Sequence, residues 1–413
     1  MRKENGTITR DDLYAAAFRY KKSKLWKALW DSEVFAVSLK SGEIGYVCVM
    51  GKNGEYNALG LYIGKEGFES YWLMTDMSRF SGSEFRNREL LLQQKCLQAA
   101  LENKEDLLPE EVDEARAYAK KNGIRLSGKN AFPQFIKYEP GCHPWKVKTQ
   151  EDMAALHETM ETAVLLADTL GSRKPEQMGI VSIERDTEEV PLFSVESGKL
   201  VQKGFAPLPA MPEERYPYTK AENQIALAAV KKLPKKGIWE SELIRLPEAV
   251  QDAPEETPYY PLMLILVESK SRFLLPVPLL GRDETDAQSM LQAFAAACKS
   301  CKVRPQEIRC RDERTYALLK DFCEKSGMKI GVHKGRMKAL DDAQAELWER
   351  MAPENEEEDE DSVDDMVDMF LSLDEDEIQM IPAPLVEQFR RLIAHDAFPK
   401  DIAAKLKKKL EDL

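Results

Sequence analysis

Hydrophobic and polar positions along the first third of the chain predict a helix, an antiparallel meander and further helices. Thr9 is a credible N-cap for a helix over residues 11–30, because its hydroxyl can accept a hydrogen bond from the first helical turn. The segments EVFAVSL, EIGYVCVMG and YNALGLYIG then alternate as strands do, with KSG and KNG turns between them. Further helices are predicted over these ranges: 67–77, 88–103, 109–122 and 149–170.

The middle of the chain shows a second alternating pattern. The segments GIVSIER, VPLFSVES and KLVQKGFAP predict a small second meander. The segment YTKAENQIALAAVKKL predicts a helix that ends at Pro234. We therefore expect a compact connector between two larger domains.

The pattern between residues 237 and 351 predicts a mixed five-stranded sheet. GIWESELIRL, the continuously apolar PLMLILVES and RFLLPVPLLG follow one another closely, as antiparallel strands do. A helix, the strand EIRCRD, a second helix, the strand MKIGVHK and a last helix from about Asp341 come next, and this alternation predicts parallel pairing. Pro276 and Pro278 cannot donate to a ladder, so their strand is expected at a sheet edge. The first strand is then central, and the later parallel strands pair on its other side.

These patterns predict an α+β and α/β multidomain protein. The expected parts are an N-terminal α+β domain (1–172), a β meander with a helix (173–236), a mixed-sheet domain (237–351), an acidic linker (352–378) and a helical tail (379–413).

Charge and composition bear on whether the chain binds nucleic acid, crosses a membrane or is secreted. The formal net charge is -13, and the run from Glu354 to Asp376 alone carries 13 acids and no lysine or arginine. The remainder is near neutral, so nucleic acid is not the expected partner, although a local basic patch stays open. The longest apolar run, LMLILV, is too short to span a bilayer, and no secretory signal follows the N-terminus. We expect a cytoplasmic protein whose seven cysteines are reduced.

The segment FPQFIKYEPGCHPW concentrates aromatic residues among prolines. Prolines keep a backbone extended, and Gly141 permits a sharp turn. We favour a structural strap, pinned across the domain by its aromatic rings, over a ligand groove. If a groove is present, Tyr138 and Trp145 are the candidate binding residues.

The cysteines and histidines show no convincing metal or catalytic pattern. Cys298 and Cys301 form a C-x-x-C, with Cys310 and Cys323 downstream, but the four lie on predicted helices and in mid-strand rather than in a zinc knuckle. Small buried hydrophobic residues are the favoured interpretation. No histidine pair has ligand spacing, and there is no nucleophile elbow or phosphate-binding glycine loop. No metal and no cofactor is expected.

Four segments of the chain together resemble an uncharacterised bacterial family that carries domains of unknown function. They are KLWKALWDSEVFAV, GEIGYVCVMG, FPQFIKYEPGCHPW and CRDERTYALL. The resemblance covers roughly the first 350 residues and implies a bacterial cytosolic protein without supplying an activity. This chain has Cys142 and His143 where the family's Pro-Gly-x-x-Pro-Trp stretch usually carries an aromatic residue.

The order of elements from 237 to 351 is also similar to the ribonuclease H-like fold of transposases and integrases. Enzymes of that fold hold two divalent metals with carboxylates on the first strand, after the fourth strand and on the last helix. The resemblance implies that those places are Glu242, Asp312, and Asp341 or Asp342 in this chain. Clustered carboxylates of this kind would hold magnesium beside a phosphodiester. This chain departs from the pattern, because the first strand offers glutamate in place of aspartate and no obvious basic groove accompanies the acids.

One hydrophobic face lies within the acidic run. Val363, Met366, Val367 and Phe370 share one side of a helix, and they would suit a protein partner displayed on an acidic arm. A plain disordered spacer is the alternative. For the whole chain we expect a non-catalytic interaction or regulatory protein with a degenerate ribonuclease H-like domain. The alternative is a divalent-metal-dependent nuclease or strand-transfer enzyme that uses magnesium.

Overall fold

The structure is a computed structural model that describes residues 7–54, 56–75, 84–171, 173–183, 187–212, 216, 218–275, 277, 287–351 and 407. The chain divides into two compact units, and the first, Met1–Leu347, contains both sheets described below. The helices found in the described residues are α1 (Arg10–Ser23), α2 (Gly64–Thr75), α3 (Glu84–Leu91), α4 (Pro109–Lys121), α5 (Gln150–Leu170), α6 (Gln224–Lys231), α7 (Ala287–Cys301), α8 (Glu313–Lys325) and α9 (Lys338–Met351). The strands are β1 (Phe35–Ser38), β2 (Ile44–Met50), β3 (Asn57–Ile63), β4 (Cys96–Glu102), β5 (Phe132–Tyr138), β6 (Trp145–Lys146), β7 (Glu189–Glu196), β8 (Lys199–Pro207), β9 (Ile238–Arg245), β10 (Leu262–Glu268), β11 (Glu307–Cys310) and β12 (Lys329–Val332).

The first sheet has eight strands in the order β6-β5-β4-β3-β2-β1-β7-β8. The predicted β1–β2–β3 meander is confirmed, and each of its pairs is antiparallel. The predicted second meander differs from the structure, because β7 and β8 form a hairpin that pairs with β1 in parallel and so extends this sheet. Residues 180–183 of the GIVSIER segment form no strand, and residues 184–186 lie outside the described residues.

One helix prediction in this region is wrong. The range 88–103 contains the end of α3 and then strand β4, which lies between β3 and β5. Its sequence, CLQAALE, is rich in good helix formers, but six of its seven residues are buried. Tertiary packing on both faces of the sheet overrides the intrinsic preference there.

Helices α1, α4 and α5 contribute to the larger hydrophobic core, which lies against the first sheet. Thr9 caps α1 as predicted, and it forms a capping box with Asp12. The ring of Tyr14 stacks on Tyr118 of α4 and meets Phe135 of β5 edge-on, with ring centroids 5.3 Å apart in each pair. Aromatic packing therefore ties two helices to the FPQF strand.

The second sheet has the order β10-β9-β11-β12. β10 pairs with β9 antiparallel, whereas β11 pairs in parallel with both β9 and β12. The predicted central position of the first strand, with the parallel strands on its other side, is confirmed for these four strands. In the described part of the predicted fifth strand, Leu274 forms one antiparallel bridge with Val267 on the outer side of β10. Pro276 and Pro278, which carried the edge-strand argument, lie outside the described residues.

Helices α6, α7 and α8 enclose a second hydrophobic core on one face of this sheet. Cys298, Cys310 and Cys323 are buried within it, and burial raises the pKa of the Cys298 thiol to about 12. All seven cysteines are free thiols. These three behave as small hydrophobic residues, as the sequence suggested.

The aromatic segment joins the two sheets. After β5 the chain turns at Gly141, whose φ of 76° favours glycine. The carbonyl of Gly141 accepts from the N–H of Tyr260 at 3.0 Å, and the N–H of His143 donates to the carbonyl of Pro258 at 2.9 Å. Added to Gly141, a Cβ atom would lie 2.5 Å from the guanidinium of Arg245. A side chain at this position would displace the Arg245 guanidinium, which lies where this segment meets β9.

None of the described helices combines the length and the apolar composition that crossing a bilayer requires.

Candidate functional site

Strand β9 places two glutamates under α9. Glu240 and Glu242 are two positions apart, so they point to the same face of the sheet, opposite to Trp239 and Ser241. Both are buried, at 4% and 7% exposure. The carboxylate of Glu240 accepts from the Ser269 hydroxyl at 2.7 Å and from the N–H of Leu340, in the first turn of α9, at 2.9 Å. It therefore holds the N-terminus of α9 against the sheet.

Glu242 lies in a drier environment than a surface carboxyl. Its Oε2 accepts from Nε2 of Gln344 at 2.6 Å. The pKa of Glu242 is raised to about 7. Desolvation is the largest cause and the nearby Asp312 carboxylate adds to it, whereas the contacts with Gln344 and Arg311 offset part of the rise. This side chain is therefore partly protonated near neutral pH.

Arg311 bridges the acids of β9 and α9. Its backbone N–H donates to the carbonyl of Ser241 at 3.0 Å, which fixes the residue just after β11. Its Nε lies 3.5 Å from Oε2 of Glu242, and its Nη2 donates to Oδ1 of Asp341. A guanidinium thus occupies the space between two of the predicted metal ligands.

The other two predicted ligands have separate partners. Asp312 is the N-cap of α8, and its carboxylate accepts from the N–H of Thr315 at 2.7 Å. Asp342 forms an ion pair with Arg272 at 2.9 Å. The structure therefore brings Glu242 and Asp341 together through Arg311, keeps Asp312 within electrostatic reach of Glu242, and pairs Asp342 elsewhere.

This arrangement suits charge neutralisation better than metal binding. Among the described residues no group of three or more histidine, cysteine, aspartate or glutamate side chains has metal-holding geometry. Removing the arginine would leave the buried Glu242 carboxyl without its counter-charge, which is costly in proteins. The chemistry that the site provides is a polar network that fastens α9 and β11 to β9.

Three members of this network escaped the sequence analysis: Glu240, Arg311 and Gln344. Two signals in the chain pointed to the first two of them. Glu240 precedes Glu242 by two positions on an alternating strand, and Arg311 directly precedes Asp312 in CRDERTYALL. The Arg311 cation next to Asp312 supplies the counter-charge that a pattern of carboxylates alone does not indicate.

The candidate binding residues of the aromatic segment lie apart. Trp145 pairs with Lys137 across β5 and β6, so Tyr138, the next residue after Lys137, points to the opposite face of the sheet. The Trp145 ring is half-buried, and the Lys148 ammonium lies 5.4 Å from its centroid. The two rings therefore do not line one groove. The predicted face of the acidic arm, Val363, Met366, Val367 and Phe370, lies outside the described residues.

Two family models match the chain. Residues 11–182 match "Domain of unknown function (DUF7309)", and residues 226–348 match "Domain of unknown function (DUF6930)". The resemblance to a family with domains of unknown function is confirmed to that extent. No curated protein matches this chain.

Among solved structures, the chain is similar to the HTLV-2 integrase catalytic core domain in complex with magnesium. The trimeric form is 13% identical, with 43% of this chain and 84% of that chain covered. The dimeric form is 14% identical, with 44% and 86% covered, and the TM-score is 0.19 in both comparisons. This resemblance is weak, and no functional argument rests on it.

Proposed function

We propose that the mixed-sheet domain is a degenerate ribonuclease H-like domain and that the chain acts as a non-catalytic interaction or regulatory protein. The single observation that carries this proposal is the position of the Arg311 guanidinium between Glu242 and Asp341. The order of β10, β9, β11 and β12 supports the kinship, because the four strands are arranged as the sequence resemblance implied. A bacterial cytosolic setting is proposed from the sequence resemblance alone.

Electrostatics argues against magnesium between these residues. Divalent metals bind deprotonated ligands, and a pKa near 7 leaves Glu242 partly protonated at neutral pH. A bound metal would also face the positive charge of Arg311 at short range. Asp312 is engaged with the N-terminus of α8. Magnesium would therefore have to displace an existing network rather than fill an available site.

A second set of contacts, made by Arg88 and Glu89 of α3, supports a role in binding a partner. The carboxylate of Glu89 on α3 lies 2.6 Å from Nη1 of Arg314 and 3.4 Å from Nε of Arg245. Arg88 donates to the carbonyls of Leu246 and Pro247 at 2.6 Å. Together with the Gly141 segment, these bonds fasten the two sheets together, so a partner would meet one preformed surface.

A nuclease assay tests the proposal. We expect the wild-type protein to cleave neither single- nor double-stranded DNA or RNA when magnesium is titrated, because Arg311 already neutralises the acids. The informative comparison is Asp312→Asn, since asparagine caps a helix about as well as aspartate and should keep α8 intact. Magnesium-dependent cleavage by the wild type that disappears in Asp312→Asn would overturn the proposal in favour of a metal-dependent nuclease.

A further inference from the structure

A basic cavity of about 670 Å³ lies between α4 and the loop that leads into β5. Its floor is apolar and is formed by Ala119, Ile124, Leu126 and Phe132. The volume falls within the range of ~300–1,000 Å³ that small-molecule sites occupy. The cavity belongs to the first sheet and shares no residue with the network around Arg311.

The rim of the cavity is positively charged. Its charged residues are Lys104, Arg116, Lys120, Lys129 and Glu105, and all five are exposed. Four cations and one carboxylate give the rim a formal charge of +3 (4 - 1), although the whole chain carries -13. The local field therefore opposes the overall charge, which favours an anionic ligand at this place.

Among the described residues these cations have no ion-pair partner, unlike other charged residues on α4. Lys121 pairs with Asp11 at 2.5 Å, and Glu114 pairs with Arg10 at 3.4 Å. Within the part of the chain that the structure describes, the four rim cations form no ion pair. Arg116 and Lys120 are also four residues apart, and like charges at that spacing destabilise a helix by a few tenths of a kcal/mol. A bound anion would relieve this repulsion.

The wall of the cavity adds backbone donors. Ser127, Gly128 and Lys129 line it, and in the described region none of their N–H groups donates to a protein acceptor. Gly128 has a φ of +84°, and a Cβ atom there would meet nothing within 4 Å. The glycine is therefore explained by backbone conformation rather than by crowding. Free N–H groups beside lysine and arginine suit phosphate oxygens.

We propose that this cavity binds a small organic polyphosphate, of the size and charge of a nucleoside triphosphate. The clustered cations would hold the phosphate groups, and the apolar floor would contact the organic part. Phe132 is only 7% exposed, so it offers little ring surface for stacking successive bases. The small volume of the cavity together with the buried Phe132 ring favours a small ligand over a nucleic acid strand.

Isothermal titration of the full chain with ATP and with inorganic tripolyphosphate tests this proposal. Lys120→Gln should weaken ATP binding by about tenfold, because it removes one charge-assisted contact. Lys121→Gln is the matched control, since it changes the same residue type at the adjacent helix position outside the cavity lining. It should leave ATP binding unchanged. ATP should bind more tightly than tripolyphosphate if the apolar floor contacts the organic part.

A thermal-shift series separates binding from folding. Without ligand, Lys120→Gln should unfold at the wild-type temperature or slightly above it, because a like-charge pair is removed. With ATP, the wild type and Lys121→Gln should gain stability, and Lys120→Gln should gain much less. The proposal is overturned if neither probe binds at millimolar concentration, or if both variants lose affinity equally. Tighter binding of a single-stranded oligonucleotide than of ATP would also overturn it.

Discussion

Replacing Trp239 with alanine is expected to lower the free energy of unfolding by about 3–5 kcal/mol, the range for removing a buried tryptophan. Trp239 is 1% exposed and lies on β9, between β10 and β11. Its ring meets Phe294 of α7 edge-on, with centroids 6.3 Å apart, and Phe294 in turn meets Phe322 of α8 at 5.5 Å. Truncation would leave a cavity where the central strand supports two helices.

Urea denaturation followed by circular dichroism measures this effect without relying on tryptophan fluorescence. Trp30→Ala is the matched control, because Trp30 is 46% exposed. The Lys52 ammonium lies 4.3 Å from the centroid of its ring. An exposed cation–π contact contributes about 0.5–1 kcal/mol, so the control should lose no more than that. Equal losses in the two variants would show that Trp239 is not at the centre of the second core.

Replacing Glu242 with glutamine is expected to stabilise the protein at pH 8 by about 2–3 kcal/mol and to change little at pH 4.5. Burial raises the pKa of Glu242 from its ordinary value of 4.5 to about 7. The folded state therefore binds this proton more tightly than the unfolded state does. The stability that this carboxyl contributes is complete below pH 4.5 and is lost as the pH rises through about 7. Glutamine resembles the protonated form at every pH, so its advantage should appear across that window.

Melting temperatures of wild type and Glu242→Gln, measured from pH 4.5 to pH 8, check this prediction. Glu307→Gln serves as the control, because Glu307 is half-buried and pairs with Arg309 on β11, outside the contacts of Glu242. It should shift stability by no more than about 1 kcal/mol at any pH, as surface pairs do. A Glu242→Gln variant that is less stable than wild type at pH 8 would mean that the charged form is favoured in the folded state.

Local chemistry made much of the fold predictable. A short stretch of sequence is enough to predict three features: the Thr9 cap, the alternating strands β1 to β3 and the continuously apolar β10. Strand β4 could not be predicted in this way, because its alanines, leucines and glutamine favour a helix. It forms a strand because it is buried between neighbouring strands of the sheet. The parallel pairing of β7 with β1 depends on contacts between residues more than 150 positions apart, such as Ala36 and Leu192. No local pattern encodes such a pairing.

The sequence indicated where in the fold the candidate acids lie, but not whether they face a metal or an arginine. The expected strand order put Glu242 on the central strand and Asp341 on the last helix, and the structure brings the two together. The direction of the Arg311 side chain decides whether these acids face a metal or a cation of the protein itself. That direction follows from the end of β11 and its bond to Ser241, which only the assembled sheet defines.

Direct titration of Mn²⁺, followed by electron paramagnetic resonance, tests the central claim that Arg311 takes the place of a metal. We expect the wild type to show no saturable Mn²⁺ site at millimolar metal. We expect Arg311→Ala to gain one at pH 8, because the metal no longer faces a guanidinium and can displace the proton of Glu242. Arg309→Ala, which removes the arginine two residues earlier on β11, should gain none. A saturable site in the wild type that Asp312→Asn abolishes would contradict the account.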